Sequence, residues 1–426
     1  MVKMKDSGLE WIGKIPEDWK SVKFNAIYNL RTEKVSDKDF PPLSVTKKGI
    51  VPQLDTAAKT NNGDNRKLVK KGDFAINSRS DRRGSCGISK YDGSVSLINT
   101  VLFPRNSKMD PRYYDWLFHT TQFADEFYKW GHGIVDDLWA TNWQDMKNIT
   151  LILPPLLQQQ TIADFLDKKC TEIDDISVKI QKEIDTLEEY RKSVITKAVT
   201  KGLNDQVLMK DSEIGWMGKI PKAWSIVRLK FLGEARNGLT YSPHNMSDES
   251  GTLVLRSSNI KNGNIVNADN VYVDEKVPQN LILKKDDLLI CSRNGSQKLI
   301  GKNALIPEDF AGSSFGAFMC IFRGKYNKYI HYVLNSRIFD FYIGSFLTST
   351  INQLTRKNLY NLSIPFPVKE NERKDIINFL DKKCNTIDKL IRDKKMQLNK
   401  IQEYKNSMIF EYITGKKQVS VSAGEK

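Results

Sequence analysis

The chain is written twice. Asp6-Ser7-Gly8-Leu9-Glu10-Trp11-Ile12-Gly13-Lys14-Ile15-Pro16-Glu17-Asp18-Trp19 returns as Asp211-Ser212-Glu213-Ile214-Gly215-Trp216-Met217-Gly218-Lys219-Ile220-Pro221-Lys222-Ala223-Trp224, so a W-x-G-K-I-P-x-x-W pattern opens each copy at an offset of 205 (Asp6 to Asp211). Further on, Lys70-Lys71-Gly72-Asp73-Phe74-Ala75-Ile76-Asn77-Ser78-Arg79 matches Lys284-Lys285-Asp286-Asp287-Leu288-Leu289-Ile290-Cys291-Ser292-Arg293 at an offset of 214 (Arg79 to Arg293). At that same offset Phe165-Leu166-Asp167-Lys168-Lys169-Cys170 repeats letter for letter as Phe379-Leu380-Asp381-Lys382-Lys383-Cys384. A period this long excludes a solenoid and leaves two homologous halves, related by a pseudo-two-fold axis or a translation.

Each half keeps one internal order. A stretch of mixed character comes first, with β-like runs (Phe74-Ala75-Ile76, Val101-Leu102-Phe103, Leu288-Leu289-Ile290, Cys320-Ile321-Phe322) broken by Gly, Asn, Asp and Ser turn clusters. This reads as a compact α/β (α+β) domain. A Pro-marked strand end, Thr150-Leu151-Ile152-Leu153-Pro154-Pro155 or Ser363-Ile364-Pro365-Phe366-Pro367, then gives way to a long helical pattern. Leu166, Cys170, Ile173, Ser177, Ile180, Ile184, Leu187, Arg191 and Val194 alternate steps of four and three, the seam of a coiled coil. Leu380, Cys384, Ile387, Ile391, Lys394, Leu398, Ile401, Lys405 and Met408 hold the equivalent places in the second half.

At 1.5 Å rise, roughly 35 to 40 helical residues make each rod ~55 Å long. Such a helix with a single apolar stripe wants the other copy as its partner. Gly202, just past the first helix, supplies a stop signal. The expected boundaries are a globular domain over 1–155, a long helix over 156–203, a linker over 204–210, a second globular domain over 211–367, a second long helix over 368–415 and a disordered tail over 416–426.

The usual signatures of catalysis are missing. There is no G-x-x-x-x-G-K-[ST] phosphate loop and no G-x-G-x-x-G after a strand. His119, His132, His244 and His331 are scattered, without metal-ligand spacing, and Cys86, Cys170, Cys291, Cys320 and Cys384 form no CxxC pair. No apolar run approaches the ~18 residues that cross a bilayer, and the first residues lack a secretory h-region, so a cytoplasmic protein is expected. Asp110-Pro111 reads as a helix start, Asp capping and Pro in the first turn.

Charge points elsewhere. Lys and Arg number 66 against 51 Asp and Glu, a net +15, which favours a polyanionic partner. Ser78-Arg79-Ser80-Asp81-Arg82-Arg83-Gly84-Ser85 and Ser292-Arg293-Asn294-Gly295-Ser296-Gln297-Lys298 follow equivalent predicted strands. Arg can read guanine bidentately, Asn and Gln can read adenine, and backbone amides of Gly-containing turns can hold phosphate. Arg79, Arg82, Arg83, Arg293, Asn294, Gln297 and Lys298 are therefore the candidate DNA contacts. Two further turns, 59–67 and 256–264, have similar chemistry with weaker placement. Trp11, Trp19, Trp216 and Trp224 could stack on bases, but their fixed setting in both copies favours structural packing.

These features together resemble one family, the specificity (S) subunits of type I restriction-modification systems. The resemblance rests on W-x-G-K-I-P-x-x-W opening each half, on Leu153-Pro154-Pro155-Leu156-Leu157-Gln158-Gln159-Gln160 and Pro365-Phe366-Pro367-Val368 at the strand-to-helix junctions, and on the repeated F-L-D-K-K-C. Ala198-Val199-Thr200-Lys201-Gly202-Leu203 and Phe410-Glu411-Tyr412-Ile413-Thr414-Gly415-Lys416 complete it at the helix ends. One departure is Val368-Lys369-Glu370-Asn371-Glu372, where the family shows P-P-L-x-E-Q.

The resemblance implies two target recognition domains separated by two antiparallel coiled-coil helices. Seam residues Leu166, Ile173, Ile180, Leu187, Val194, Leu380, Ile387, Ile391, Leu398, Ile401 and Met408 would then set the spacing between half-sites. It further implies sequence-specific binding of a bipartite, asymmetric site in double-stranded DNA and a catalytically silent chain without a cofactor of its own. Two methyltransferase subunits carrying S-adenosylmethionine, and restriction/translocase subunits using ATP and Mg, would be its partners. The competing reading is a duplicated coiled-coil interaction scaffold whose basic charge is incidental, which a salt-dependent DNA-binding measurement would separate.

Overall fold

A computed structural model describes residues 3–54, 63–79, 82–134, 139–346 and 353–419. It divides into two compact units, one of Met1–Ile180 with Met396–Lys426 and one of Gln181–Lys395. These limits cut through the two helices and do not follow the ends of the globular stretches 1–155 and 211–367. The reason is packing: each globular part buries the start of one long helix and the end of the other.

In the first unit, Phe74–Asn77 is buried along its whole length, as a continuous apolar run requires. It pairs antiparallel with Cys86–Ile88 on one side and Asn99–Pro104 on the other, and Tyr28–Leu30 completes a four-stranded sheet. Helix Pro111–Phe118 packs beside it, capped by the Asp110 carboxylate, which accepts from Arg112 N at 2.9 Å, with Pro at the first position. Phe118 gathers the core, its ring 4.5 Å from that of Phe74, 4.6 Å from Phe123 and 5.2 Å from Phe24.

The second unit repeats the plan with the strands Asn303–Leu305, Leu288–Cys291, Met319–Arg323 and Glu234–Asn237 in the corresponding order. The duplicated Lys-Lys-x-Asp turn has one explanation in both halves. Asp73 accepts from Lys70 N and pairs with Arg31; Asp287 accepts from Lys284 N and pairs with Arg323. A two-stranded ribbon carries the start of the W-x-G-K-I-P pattern, Met4–Asp6 with Lys14–Pro16 and Met209–Asp211 with Lys219–Pro221, so the last residues of the expected linker belong to a strand.

The long helices run Leu156–Lys201 and Glu370–Ile413, 46 and 44 residues, inside the expected bounds 156–203 and 368–415 and longer than the 35 to 40 residues counted for the rod. Helix begins before the apolar seam does, because the first turn is held by bonds that periodicity does not record. Trp19 donates its indole N–H to Gln158 at 2.6 Å, and Trp224 donates to Glu372 at 2.8 Å. Gln159 bonds back to the Pro154 carbonyl at 2.7 Å, and Arg373 to that of Val368 at 2.9 Å. Both Trp side chains are buried, so their role is packing.

Within each unit the helix segments run antiparallel. In the first, the Phe165 ring lies 4.3 Å from that of Tyr412 and Asp174 pairs with Lys405 at 2.6 Å; in the second, Asp388 pairs with Arg191 at 2.9 Å and Glu183 with Lys394 at 2.6 Å. Partner numbers rise on one helix as they fall on the other. The polar seam positions Arg191, Lys394 and Lys405 are thereby matched to carboxylates, while Leu166, Ile180, Leu380, Ile387, Ile391 and Met408 are buried and Ile173, Leu187, Val194, Leu398 and Ile401 half-buried. Each helix end is gripped by a tyrosine: Tyr113 donates to the Ile413 carbonyl at 2.6 Å, and Tyr329 to that of Val199 at 3.3 Å. The helices stop at Gly202 and Gly415, whose φ of +77° and +71° are left-handed and free of penalty only for glycine. Residues of the tail from 420 onward lie outside the described region.

Candidate nucleic-acid interface

The two Arg-containing turns are built alike. After the strand Phe74–Asn77, Ser78 N donates to the Ile98 carbonyl and the Ser78 carbonyl accepts from Thr141 N, while Arg79 forms a bridge with Ala140. After Leu288–Cys291, Ser292 N and Arg293 N both donate to the Phe318 carbonyl at 3.0 Å, the Ser292 carbonyl accepts from Leu354 N, and Arg293 bridges Gln353. In each half the turn is therefore clamped between a neighbouring strand and the segment that follows the globular domain's second helix. That segment is not recognisable from sequence, because it is too short to have a period.

A cavity opens beside each turn. In the first unit it has about 320 Å³, with Arg79, Lys67, Leu30, Leu97, Ile98 and Trp143 among its walls. In the second it has about 590 Å³ and includes Arg293, Arg256, Tyr241, Asp269, Asn294 and Phe318. Ile98 and Phe318 are equivalent, since each gives its carbonyl to the turn's serine. Lys67 is partly withdrawn from solvent and donates to the Asn99 carbonyl at 2.6 Å; burial pulls its ammonium below the ordinary lysine range, helped by nearby Lys34. Arg256 holds the Asp269 carbonyl at 2.5 Å, and its Nε is buried without a hydrogen-bond partner among the described residues.

The seven candidate contacts divide among different surroundings. Arg79 and Arg293 are exposed at the cavity walls, and the Arg293 guanidinium lies 5.3 Å from the centre of the Phe318 ring. Arg82 is exposed in the turn, where its carbonyl accepts from Ser85 N. Arg83 is turned against the helix Thr121–Lys129, paired with Asp125 and over the Tyr128 ring at 5.2 Å. The Asn294 amide serves its own turn, Oδ1 accepting from Ser296 N at 2.9 Å and Nδ2 donating to Ser257 Oγ at 3.3 Å. Gln297 and Lys298 sit on a short 3-10 turn, Gln297–Leu299, and Lys298 lines a separate cavity of about 490 Å³ with Glu188, Lys192 and Lys302. Ser80, Asp81 and residues 59–62 lie outside the described region.

Sequence reasoning missed Phe318, Tyr241, Leu97 and Trp143, while Lys67 belongs to the 59–67 turn of weaker placement. Aligning the two halves strand by strand would have paired Phe318 with Ile98; the apolar character of both, at the mouth of a basic turn, is the signal. Arg256 fell in a turn of weaker placement and proves to line the same cavity as Arg293. His331 is buried and bonds Asn303 Oδ1 through Nδ1 at 2.8 Å, a structural histidine. All five cysteines are buried free thiols, and among the described residues no three His, Cys, Asp or Glu side chains group as metal ligands. No helix is long and apolar enough to cross a membrane among the described residues.

The family model for the type I restriction modification DNA specificity domain matches this chain twice, over residues 16–186 and 221–400. The chain belongs to the type I restriction-modification specificity subunits. Both matches run from a W-x-G-K-I-P-x-x-W motif into a long helix, the unit that the internal repeat defines. The type I restriction enzyme MjaVIII specificity subunit of Methanocaldococcus jannaschii is 26% identical over 429 residues, which covers 95% of this chain and 94% of that protein. The EcoKI specificity subunit of Escherichia coli K12 is 26% identical over 162 residues, 35% of this chain and 34% of that one. A solved chain from work on complex assembly and conformational transition of the type I R-M system superposes with a TM-score of 0.69 at 14% identity, over 94% of this chain and 99% of that one, and so shares the fold.

Proposed function

We propose that this chain reads a bipartite, asymmetric site in double-stranded DNA and carries methyltransferase and restriction subunits to it, without catalysing either reaction itself. The observation that carries the reading is the pair of equivalent cavities, each flanked by an exposed arginine on a clamped turn. Two copies of one reader with different walls suit two different half-sites. Each long helix begins in one compact unit and ends in the other, and helices of 46 and 44 residues give about 65 to 70 Å of rod at 1.5 Å per residue. A rod of this kind would hold the half-sites at a fixed separation, as dimer geometry does in other DNA readers.

Two equivalent methyltransferase subunits fit the repeat. Ile176 and Leu390 are exposed apolar residues at equivalent positions of the two helices, and so are Tyr190 and Tyr404. Each unit thus displays one aliphatic and one tyrosine on its helix pair, a duplicated patch for a duplicated partner. On this reading S-adenosylmethionine, ATP and Mg belong to the partner chains. The test is to express the chain with its cognate methyltransferase in a host free of such methylation and to map methylated positions across the genome. A two-part motif with a constant unread gap is expected; methylation without a motif, or at one uninterrupted site, would refute the reading.

A further inference from the structure

Resting on the reading that each globular domain recognises part of a DNA site, we propose that Arg293, held over the Phe318 ring, reads a guanine of one half-site through two parallel hydrogen bonds to O6 and N7. The arginine fork matches that edge, and guanine is the purine whose major-groove edge offers two acceptors and no donor. The wall that Arg293 belongs to carries a second arginine, Arg256. Arg256 Nε and Ser258 Oγ are both buried, both without a partner among the described residues, and both belong to residues lining the same cavity. The amide of Asn294, which could have read adenine, is already committed to Ser296 and Ser257.

Preorganisation is the second argument. A free arginine loses rotamer entropy when it orders on a base, and a ring beneath the guanidinium removes part of that loss beforehand. Arg293 N donates to the Phe318 carbonyl at 3.0 Å, so the backbone that carries the guanidinium and the ring that supports it form one piece. The guanidinium makes no ion pair among the described residues, whereas Arg83 is paired with Asp125 and Arg323 with Asp287. Phe318 is 60% exposed beside this cation. An aromatic left open there gains by being covered, which docking of a base pair would do. The first domain has Ile98 at the equivalent place, so this stacked arrangement belongs to the second domain.

Selection of the full-length chain on a randomised duplex pool, at fixed salt and followed by sequencing, tests the assignment. The unaltered chain should enrich a two-part motif with an invariant G·C pair in one part. Arg293→Lys keeps the charge and removes the fork; it should lower the preference at that pair by roughly tenfold or more while both the remaining positions and the other half-site persist. Phe318→Leu should lower it less, by about two- to fivefold. Persistence of the other half-site in the same experiment shows that the variant is folded. Unchanged preference at every position in Arg293→Lys overturns the proposal, as does a uniform loss of affinity with a shallower salt slope in Arg293→Ala, which marks a phosphate contact. A chain that enriches no motif at all refutes the function proposed above, and this assignment with it.

Discussion

At the start of the first long helix, neutral Gln158 accepts the Trp19 indole and neutral Gln159 ties down the preceding turn; at the start of the second, Glu372 and Arg373 do the same work with opposite charges. The residues change and the bonds remain. At the cavities the relation is reversed. Ser78 and Ser292 make the same backbone bonds, yet the walls they support are Ile98, Leu97 and Trp143 in one domain and Phe318, Tyr241 and Arg256 in the other. The scaffold constrains hydrogen-bond roles, and the cavity walls are where the chemistry itself differs between the halves.

That comparison breaks most sharply at the helix stops. A Cβ on Gly415 would lie 2.5 Å from Pro16 Cδ and 3.0 Å from Trp19, whereas one on Gly202 would approach Trp224 no closer than 3.3 Å. Both substitutions to alanine carry the left-handed penalty of about 1–2 kcal/mol. Gly415→Ala adds overpacking of about 1–3 kcal/mol against a rigid ring. Chemical denaturation of the two variants should show Gly415→Ala clearly the less stable; equal losses would mean that the two helix ends are packed alike.

Acid should separate the domains next. Burial, with a smaller contribution from Arg191, pushes His331 down to about 4, below its unfolded value of about 6.5. The unfolded chain binds that proton first, so this contribution to the second unit is complete above about pH 6.5 and is lost as pH falls toward 4. The first unit has Asp115 at the equivalent position, two residues after Tyr113 as His331 is two after Tyr329, and its carboxyl is raised, chiefly by burial. A raised carboxyl has the opposite sign, stabilising the fold as pH falls. Hydrogen exchange resolved by peptide between pH 7 and 5 should show protection lost earlier in the second unit, and His331→Leu should reduce that pH dependence.

The smallest difference concerns the duplicated ion pairs. Arg191 and Asp388 are both largely shielded, whereas Asp174 beside Lys405 is mostly open to solvent. Double-mutant cycles to alanine should give a coupling of about 0.2–1 kcal/mol for Asp174 with Lys405 and a larger one for Arg191 with Asp388. The reverse order would assign register to the first pair.

The duplicated motifs, the buried strands, the seam and the glycine stop at Gly202 were legible because each repeats a local rule of spacing or backbone conformation. The division of the second basic turn was not. Arg293 and Lys298 are five positions apart in sequence, and the 3-10 turn Gln297–Leu299 sends them to different cavities through tertiary contacts that no period encodes. The anchoring of both long helices at their expected starts was hidden for a related reason. It depends on Trp19 and Trp224, more than a hundred residues away in sequence, closing on the first turn.

The tyrosine grip on each helix end has a consequence for how the chain is ordered. In the second unit the stretch from Gly202 to Met209 links a helix stop to the next W-x-G-K-I-P ribbon; in the first, Gly415 meets Pro16 of its ribbon, and Val419 packs on that unit's core, without a covalent link. The two places are counterparts, one stitched and one open. The same junction between helix stop and ribbon is therefore held by chain connectivity in the second unit and by side-chain packing in the first.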